Sequence, residues 1–257
     1  MTDLVVNEDG PVLSLTLNRP KALNAFSAEM VEGLTANFRD AKKRTDVRVI
    51  VVSGAGKSFS AGGDVKTMGE ASPAQVYDHV GKLNECIIAM RELEKPVIAA
   101  VHGFAAGAGF NLAMACDLIV AAQDSQFVLS FTQVGLISDG GGSYFLPRII
   151  GSHLAKEWFF LAEPIPATRA HELGLVNRLV PADDLEEETM RLARRLANGP
   201  AKAYGMMKRI IDSSLNSTLD EVLQAERIAQ TMMVTTEDHL EGVQAFREKR
   251  APKFHGR

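Results

Sequence analysis

Residues 96–117 read Pro96-Val97-Ile98-Ala99-Ala100-Val101-His102-Gly103-Phe104-Ala105-Ala106-Gly107-Ala108-Gly109-Phe110-Asn111-Leu112-Ala113-Met114-Ala115-Cys116-Asp117, and the fold follows from how this stretch is parsed. Residues 96–101 are apolar and partly β-branched without alternation, which predicts a strand buried on both faces. Gly103, Gly107 and Gly109 then mark a turn among alanines, and residues 110–116 have the small, straight-chain composition of a buried helix. Strand, glycine turn and helix in that order leave backbone N–H groups unpaired at a helix N-terminus, where partial positive charge collects. With only glycine and alanine around them, these N–H groups are open to a carbonyl or phosphate oxygen. A close-packed crossing of backbone through the core uses the same residues, and both readings stay open at this point.

Several familiar patterns are excluded. His102, Asn111 and the glycines interrupt any membrane span between 97 and 116. A dinucleotide fingerprint needs a third glycine where Leu112 stands, and a P-loop needs one at Val51, five residues before Gly56. The chain has 257 residues, 46% of them hydrophobic, which suffices for one sizeable core with an appendage. A net charge of −4 points away from nucleic acid as a partner. Cys86 and Cys116 are the only cysteines and lie in apolar surroundings outside any C-x-x-C pair. They indicate neither a disulfide framework nor a metal site, and they fit a reducing cytoplasm. The first residues lack the basic and apolar regions of a secretory signal.

Outward from the central stretch, residues 4–6 and 12–17 predict a hairpin, and Ser27 caps a helix carrying Met30, Val31, Leu34 and Phe38 on one face. A strand at 47–53 precedes a second glycine loop at 58–64, and the two loops are expected to face one ligand. Pro73 starts a helix to about residue 94 whose Val76, Val80, Leu83, Ile87 and Met90 form an apolar stripe. Short strands at 117–122 and 126–128 lead to a third glycine loop at 134–143. From Ser152 onward the pattern is helical except for a strand at 178–180. Helices at 184–198, 201–214, 219–231 and 236–250 show apolar spacing near 3.6 residues, and the last of them outside the main core are expected to pack against another subunit.

Five pieces together carry a resemblance: residues 19–25 (RPKALNA), 59–64 (FSAGGD), 96–117, 135–147 and 241–250. The chain resembles the crotonase family, the enoyl-CoA hydratase/isomerase superfamily, over nearly its full length. The resemblance implies an α/β fold: a spiral of ββα units over residues 1–198 and a helical C-terminal trimerisation region over 199–257. It also implies an acyl-CoA thioester as ligand, a homotrimer or homohexamer, and no metal or other cofactor beyond the coenzyme A of the substrate. Carried over, the oxyanion hole falls on the N–H groups of Gly63 and Ala108. Lys21, Ala22 and Leu23 match the loop that wraps coenzyme A, and Ala61 and Asp64 match its adenine and pantetheine side. Lys249, Lys253 and Phe254 are candidates for CoA contacts from a neighbouring subunit, with a solvated surface as the alternative.

The resemblance breaks at the catalytic acids. The two glutamates of the hydratases fall on Asn111 and Phe131, and neither side chain transfers protons. Asp139 remains, matching the aspartate of family members that shift double bonds, as in phenylacetate-type pathways; its alternative role is to cap the next helix. Tyr144 is a candidate lining of the acyl pocket, or a core residue. His102 reads as a hydrogen-bonded structural histidine, and His79 lies on a helix with no carboxylate partner in view. The expectation is an enoyl-CoA isomerase with Asp139 as the proton carrier. The alternatives are a hydratase using Asp139, or an acyl-CoA binder with little activity.

Overall fold

The computed structural model describes residues 2–64 and 71–257, and among these the chain builds two sheets wrapped by ten α-helices. The larger sheet has the order β1 (Leu4–Asp9), β2 (Val12–Leu17), β3 (Val49–Gly54), β4 (Val97–Val101), β6 (Leu118–Ala122), β9 (Arg178–Val180). β1 and β2 form the expected antiparallel hairpin, with Leu4 opposite Leu17 and Asp9 opposite Val12, and every later pairing is parallel. All five residues of β4 are buried, because helices cover both faces of a parallel sheet. The smaller sheet is β5 (Phe104–Ala106), β7 (Gln126–Val128) and β8 (Ile165–Pro166).

Between these sheets the chain climbs as a spiral. It leaves β4 in the large sheet, enters β5 in the small one, passes through α3 (Ala108–Ala115), and repeats with β6 and β7. Two isolated parallel bridges, Ser60 with Ala105 and Phe26 with Gly63, continue the small sheet toward the N-terminus. Each turn of the spiral therefore delivers one loop to the same edge.

The central stretch differs in two details from the sequence expectation. The glycine turn contains the three-residue strand β5, delimited by Gly103 and Gly107 at φ of +56° and +51°. α3 begins at Ala108, two residues before Phe110, and all eight of its residues are buried. Helix α1 (Ala28–Lys43) starts where Ser27 accepts the Met30 N–H at 3.2 Å and buries Met30, Val31, Leu34, Phe38 and Ala41. Loss of such a cap costs about 1 kcal/mol. Helix α2 (Pro73–Arg91) carries a capping box from Ser72 and Gln75. Its apolar stripe enters the core only from Leu83 onward; Val76 is exposed, because the first turns of α2 project past the core edge.

Helices α4 (Gly142–Ile150), α5 (Ser152–Leu161) and α6 (Ala167–Glu172) follow, so the helical region begins ten residues before Ser152 despite Pro147 inside α4. α7 (Leu185–Ala197) lays Leu185, Leu192 and Ala193 on the outer face of the large sheet, against Val49, Ile98 and Val120. Beyond it, α8 (Ala201–Ser214), α9 (Leu219–Met233) and α10 (Glu237–Glu248) contribute no side chain to either of the two core clusters. α8 is clamped to the spiral through Asp117, whose carboxylate accepts from Lys208 at 2.7 Å and from the Val97 N–H at 2.8 Å. Arg91 joins the same clamp by bridging Asp117 and Asp212.

Candidate active site

The site is assembled where the first spiral loops meet the N-terminus of α3. Gly107 precedes that helix with φ +51° and ψ −125°, which aims the N–H groups of the first turn outward. Ala108 is the first helical residue, so its N–H has no acceptor within the helix. Among the described residues it has none elsewhere. The neighbouring loop comes close enough to share the opening. A Cβ placed on Gly62, at φ +81°, would lie 2.5 Å from the Ala106 carbonyl oxygen and 2.8 Å from the Ala108 nitrogen. Only glycine permits that approach. In the bridge between Phe26 and Gly63 the ladder bond runs from the Phe26 N–H to the Gly62 carbonyl at 2.7 Å. The Gly63 N–H lies outside that bond and, like that of Ala108, finds no acceptor among the described residues.

This loop is locked to the first one. Ala61 donates its N–H to the Leu23 carbonyl at 2.8 Å. Arg19 donates to the Ala25 carbonyl at 2.7 Å and pairs with Asp64 at 3.3 Å. The fully buried Asn24, at φ +56°, donates to the Ala55 and Ser58 carbonyls at 2.8 and 2.7 Å and accepts from the Arg19 N–H at 2.9 Å. A residue with a short polar side chain tolerates the left-handed region better than most, which suits Asn to this corner. Lys21 and Ala22 lie in the adjoining 3-10 turn Pro20–Ala22, which Leu23 closes at φ +49°, and Lys21 and Leu23 are exposed. The structure thus brings residues 21–23 together with 61–64, and the Gly62–Gly63 corner against Ala108.

The second half of the site comes from α3 and the third glycine loop. Asn111 lies fully buried one turn into α3 and donates from Nδ2 to the Asp139 main-chain carbonyl at 2.7 Å and to Ser138 Oγ at 3.0 Å. The Phe131 ring approaches Gly107, whose absent Cβ would stand 3.7 Å from it. Asp139 is largely withdrawn from water, and its Oδ1 has no hydrogen-bond partner. Burial raises its pKa above the ordinary carboxylate value, opposed by its own main-chain N–H and by the charge of His79. The side chain does not cap α4: that helix starts from Gly141 with no side-chain cap. His79 was unassigned in the sequence, yet it stands one helical turn before Leu83, and Leu83 lies against Gly140 beside Asp139. An i,i+4 count from Leu83 would have found it only with the Leu83–Gly140 contact in hand.

Two N–H groups without acceptors among the described residues, a phenyl ring and one carboxyl of raised pKa are a combination that can serve proton transfer next to an oxyanion. A family profile described as Enoyl-CoA hydratase/isomerase matches residues 7–257. The chain belongs to the enoyl-CoA hydratase/isomerase family. It is 37% identical to the 1,2-epoxyphenylacetyl-CoA isomerase of Escherichia coli K12 over 251 residues, covering 96% of this chain and 95% of that one. It is 34% identical to the 2,3-dehydroadipyl-CoA hydratase of the same organism over 257 residues, with both chains fully covered. The crystal structure of an enoyl-CoA hydratase from Bacillus anthracis superimposes with a TM-score of 0.95 at 34% identity, covering 99% of this chain and all of the other. Family membership fixes an enzyme of acyl-CoA substrates and the crotonase fold, while its relatives carry both isomerase and hydratase names.

The remaining candidates have the following surroundings within the single chain. Tyr144 is partly exposed, with the Arg148 guanidinium 3.7 Å from its ring centroid and its hydroxyl accepting from Asn216 at 3.4 Å. Lys249 closes α10 at φ +54°. Phe254 faces Gly242 and lines a groove of about 1040 Å³ between α8, α9 and α10. His102 donates from Nε2 to the Gly56 carbonyl at 3.0 Å, a structural tie. No helix among the described residues is long and apolar enough to cross a membrane.

Proposed function

We propose that the protein is an enoyl-CoA isomerase that moves a carbon–carbon double bond along an acyl thioester. The observation that carries this reading is the carboxyl of Asp139: half-buried, its Oδ1 shielded from water without a hydrogen-bond partner, and its pKa raised by that burial. The positions that hold two acids in the hydratases carry an amide and a phenyl ring here, which leaves Asp139 as the carboxyl able to move a proton. In the proposed reaction the Asp139 carboxylate takes a proton from C2 of a 3-enoyl thioester, and the electron pair of that C–H bond spreads onto the thioester oxygen as a dienolate. The N–H groups of Gly63 and Ala108 stabilise that oxygen, each contributing on the order of 3 kcal/mol. The dienolate then accepts the same proton from Asp139 at C4, giving the conjugated 2-enoyl product. Protons and electrons balance within the substrate, so the step needs no metal or redox cofactor.

Coenzyme A lies along residues 21–23 and 61–64 in this reading, and Lys249 and Phe254 reach it from a neighbouring copy. Exposed apolar side chains on the last three helices, among them Ile211, Leu223, Met232 and Phe246, support a trimer or hexamer. The two buried, unpaired cysteines suit a reducing cytoplasm. A hydratase is the second reading, favoured by one observation: Asn111 Oδ1 and Asp139 Oδ1 are both buried acceptors without donors, and a water molecule has two hydrogens to offer. Turnover of purified protein with 2-enoyl and 3-enoyl thioesters separates the readings. Conjugation of the 3-enoyl ester supports the isomerase, hydration of the 2-enoyl ester without any bond shift supports the hydratase, and neither leaves an acyl-CoA binder.

A further inference from the structure

The loop that carries Asp139 is tied at its start to the end of α5, where Thr132 Oγ1 donates to the Phe159 carbonyl at 3.0 Å and Gln133 Nε2 to the Ala162 carbonyl at 3.1 Å. Beyond that tie residues 134–137 are all exposed, Ile137 to 89%, and the N–H groups of Gly135 and Leu136 donate back to Thr132 and Phe131 within the same segment. Attachment resumes at Ser138, and there it comes from α3. Both hydrogens of the Asn111 amide are spent there, on the Asp139 carbonyl at 2.7 Å and on Ser138 Oγ at 3.0 Å. The Asp139 carbonyl accepts further bonds from Ser138 Oγ at 3.4 Å and from the Gly142 N–H at 3.2 Å. Donors from α3, from the loop itself and from the start of α4 therefore converge on the backbone of the one residue that holds the candidate proton carrier.

The surroundings are shaped to keep the amide in that place. A Cβ on Gly142 would stand 2.4 Å from both Asn111 Oδ1 and Ser138 Oγ, while Gly140 lies beside Leu83 and Asn111, where a Cβ would meet them at 3.4 and 3.6 Å, ordinary contact. A carboxylate at position 111 would accept and never donate, so it would leave the Asp139 carbonyl and repel its oxygen. An amide is the side chain of this size that supplies two donors.

We propose that Asn111 is a positioning residue: its amide latches the Asp139 loop to α3, so that this position holds the base in place and transfers no proton itself. The proposal rests on Asp139 as the proton carrier, and its test is arranged to be decided without that reading. Asn111→Leu keeps the approximate volume and removes both donors; Gly142→Ala pushes the amide aside by contact while leaving residue 111 an asparagine. The deciding measurement is the carboxyl titration of Asp139 by carbon-13 NMR in the wild type and in both variants, with circular dichroism as the folding check.

The latch predicts that the titration midpoint moves toward the ordinary carboxylate value in each folded variant, as the freed loop opens to water. An unchanged midpoint in folded Asn111→Leu overturns the proposal, and so does an unchanged midpoint in folded Gly142→Ala should the first variant fail to fold. Where the wild type isomerises, kcat should also fall ten- to a hundredfold with KM within about twofold, the scale of a base displaced by roughly 1 Å. A raised KM at unchanged kcat would instead make Asn111 a substrate contact and overturn the latch. A wild type that moves no double bond defeats the isomerase reading alone, because the titration still reports the latch.

Discussion

Replacing Ala108 by proline removes one hydrogen-bond donor from the site at little cost to the fold. Ala108 is the first residue of α3, where the N–H has no helical acceptor to lose and where the φ of proline suits the helix. Gly107 before it is free to adopt the extended backbone that a following proline favours. The Ala108 N–H pairs with nothing among the described residues, so its loss unsatisfies no partner within them. If that N–H holds the thioester oxygen, the transition state loses on the order of 3 kcal/mol, which slows turnover by roughly two orders of magnitude or more. The rate is read from the absorbance of the conjugated thioester, with thermal unfolding run in parallel. A folded variant with wild-type kcat would refute the reasoning and move the oxyanion site away from α3.

Other consequences are open to equally direct measurement. Gly62→Ala must push the Ala106 carbonyl back by roughly 1 Å from its 2.5 Å approach, and kcat should fall about a hundredfold even where the variant folds; unchanged kcat would mean that the corner does not shape the site. Because burial raises the pKa of Asp139, the folded state holds its proton at pH values where the unfolded chain has released it, so stability declines as pH rises from the ordinary carboxylate value through the raised one. Asp139→Asn removes that ionisation and should raise Tm by a few degrees at neutral pH; a lower Tm contradicts the stated burial cost. On the acid side, kcat should fall as pH drops through the raised Asp139 pKa, and a profile flat down to pH 4 contradicts a carboxylate base. Light scattering should give a trimer or hexamer, and Leu223→Asp on the exposed face of α9 should shift it toward smaller species; an active wild-type monomer at micromolar concentration contradicts the oligomer.

Much of this architecture was legible in residues 96–117, since a β-branched run followed by glycines and alanines leaves few alternatives to strand, turn and buried helix. The hairpin, the Ser27 cap and the break between the helices expected at 184–198 and 201–214 were legible for the same reason: their signals are local. β5 was not, because Phe104, Ala105 and Ala106 are extended through pairing with residues 126–128 on one side and with Ser60 on the other, both distant in sequence. The start of α4 was hidden by Gly140-Gly141-Gly142 and Pro147, residues that argue against helix locally and are overruled by contacts with Asn111 and Phe145. At the site, the residue types that matter for chemistry stood out, but the scaffold did not. Arg19, Asn24 and Ser60 look like ordinary loop polar residues until the structure shows Asn24 and Ser60 bonded to backbone carbonyls and Arg19 bonded to one and paired with Asp64. Asn111 read only as the place of a lost acid, and the positions of Ser138 and Asp139 reveal where its hydrogens go.

The central claim is that one carboxyl, that of Asp139, carries the proton. Its most direct test is the rate at which Asp139→Asn converts a 3-enoyl thioester to the 2-enoyl product, compared with the wild type under saturating substrate. The account predicts a folded variant that still binds the CoA ester and turns it over a hundredfold or more slowly. A folded variant that isomerises at the wild-type rate would contradict it.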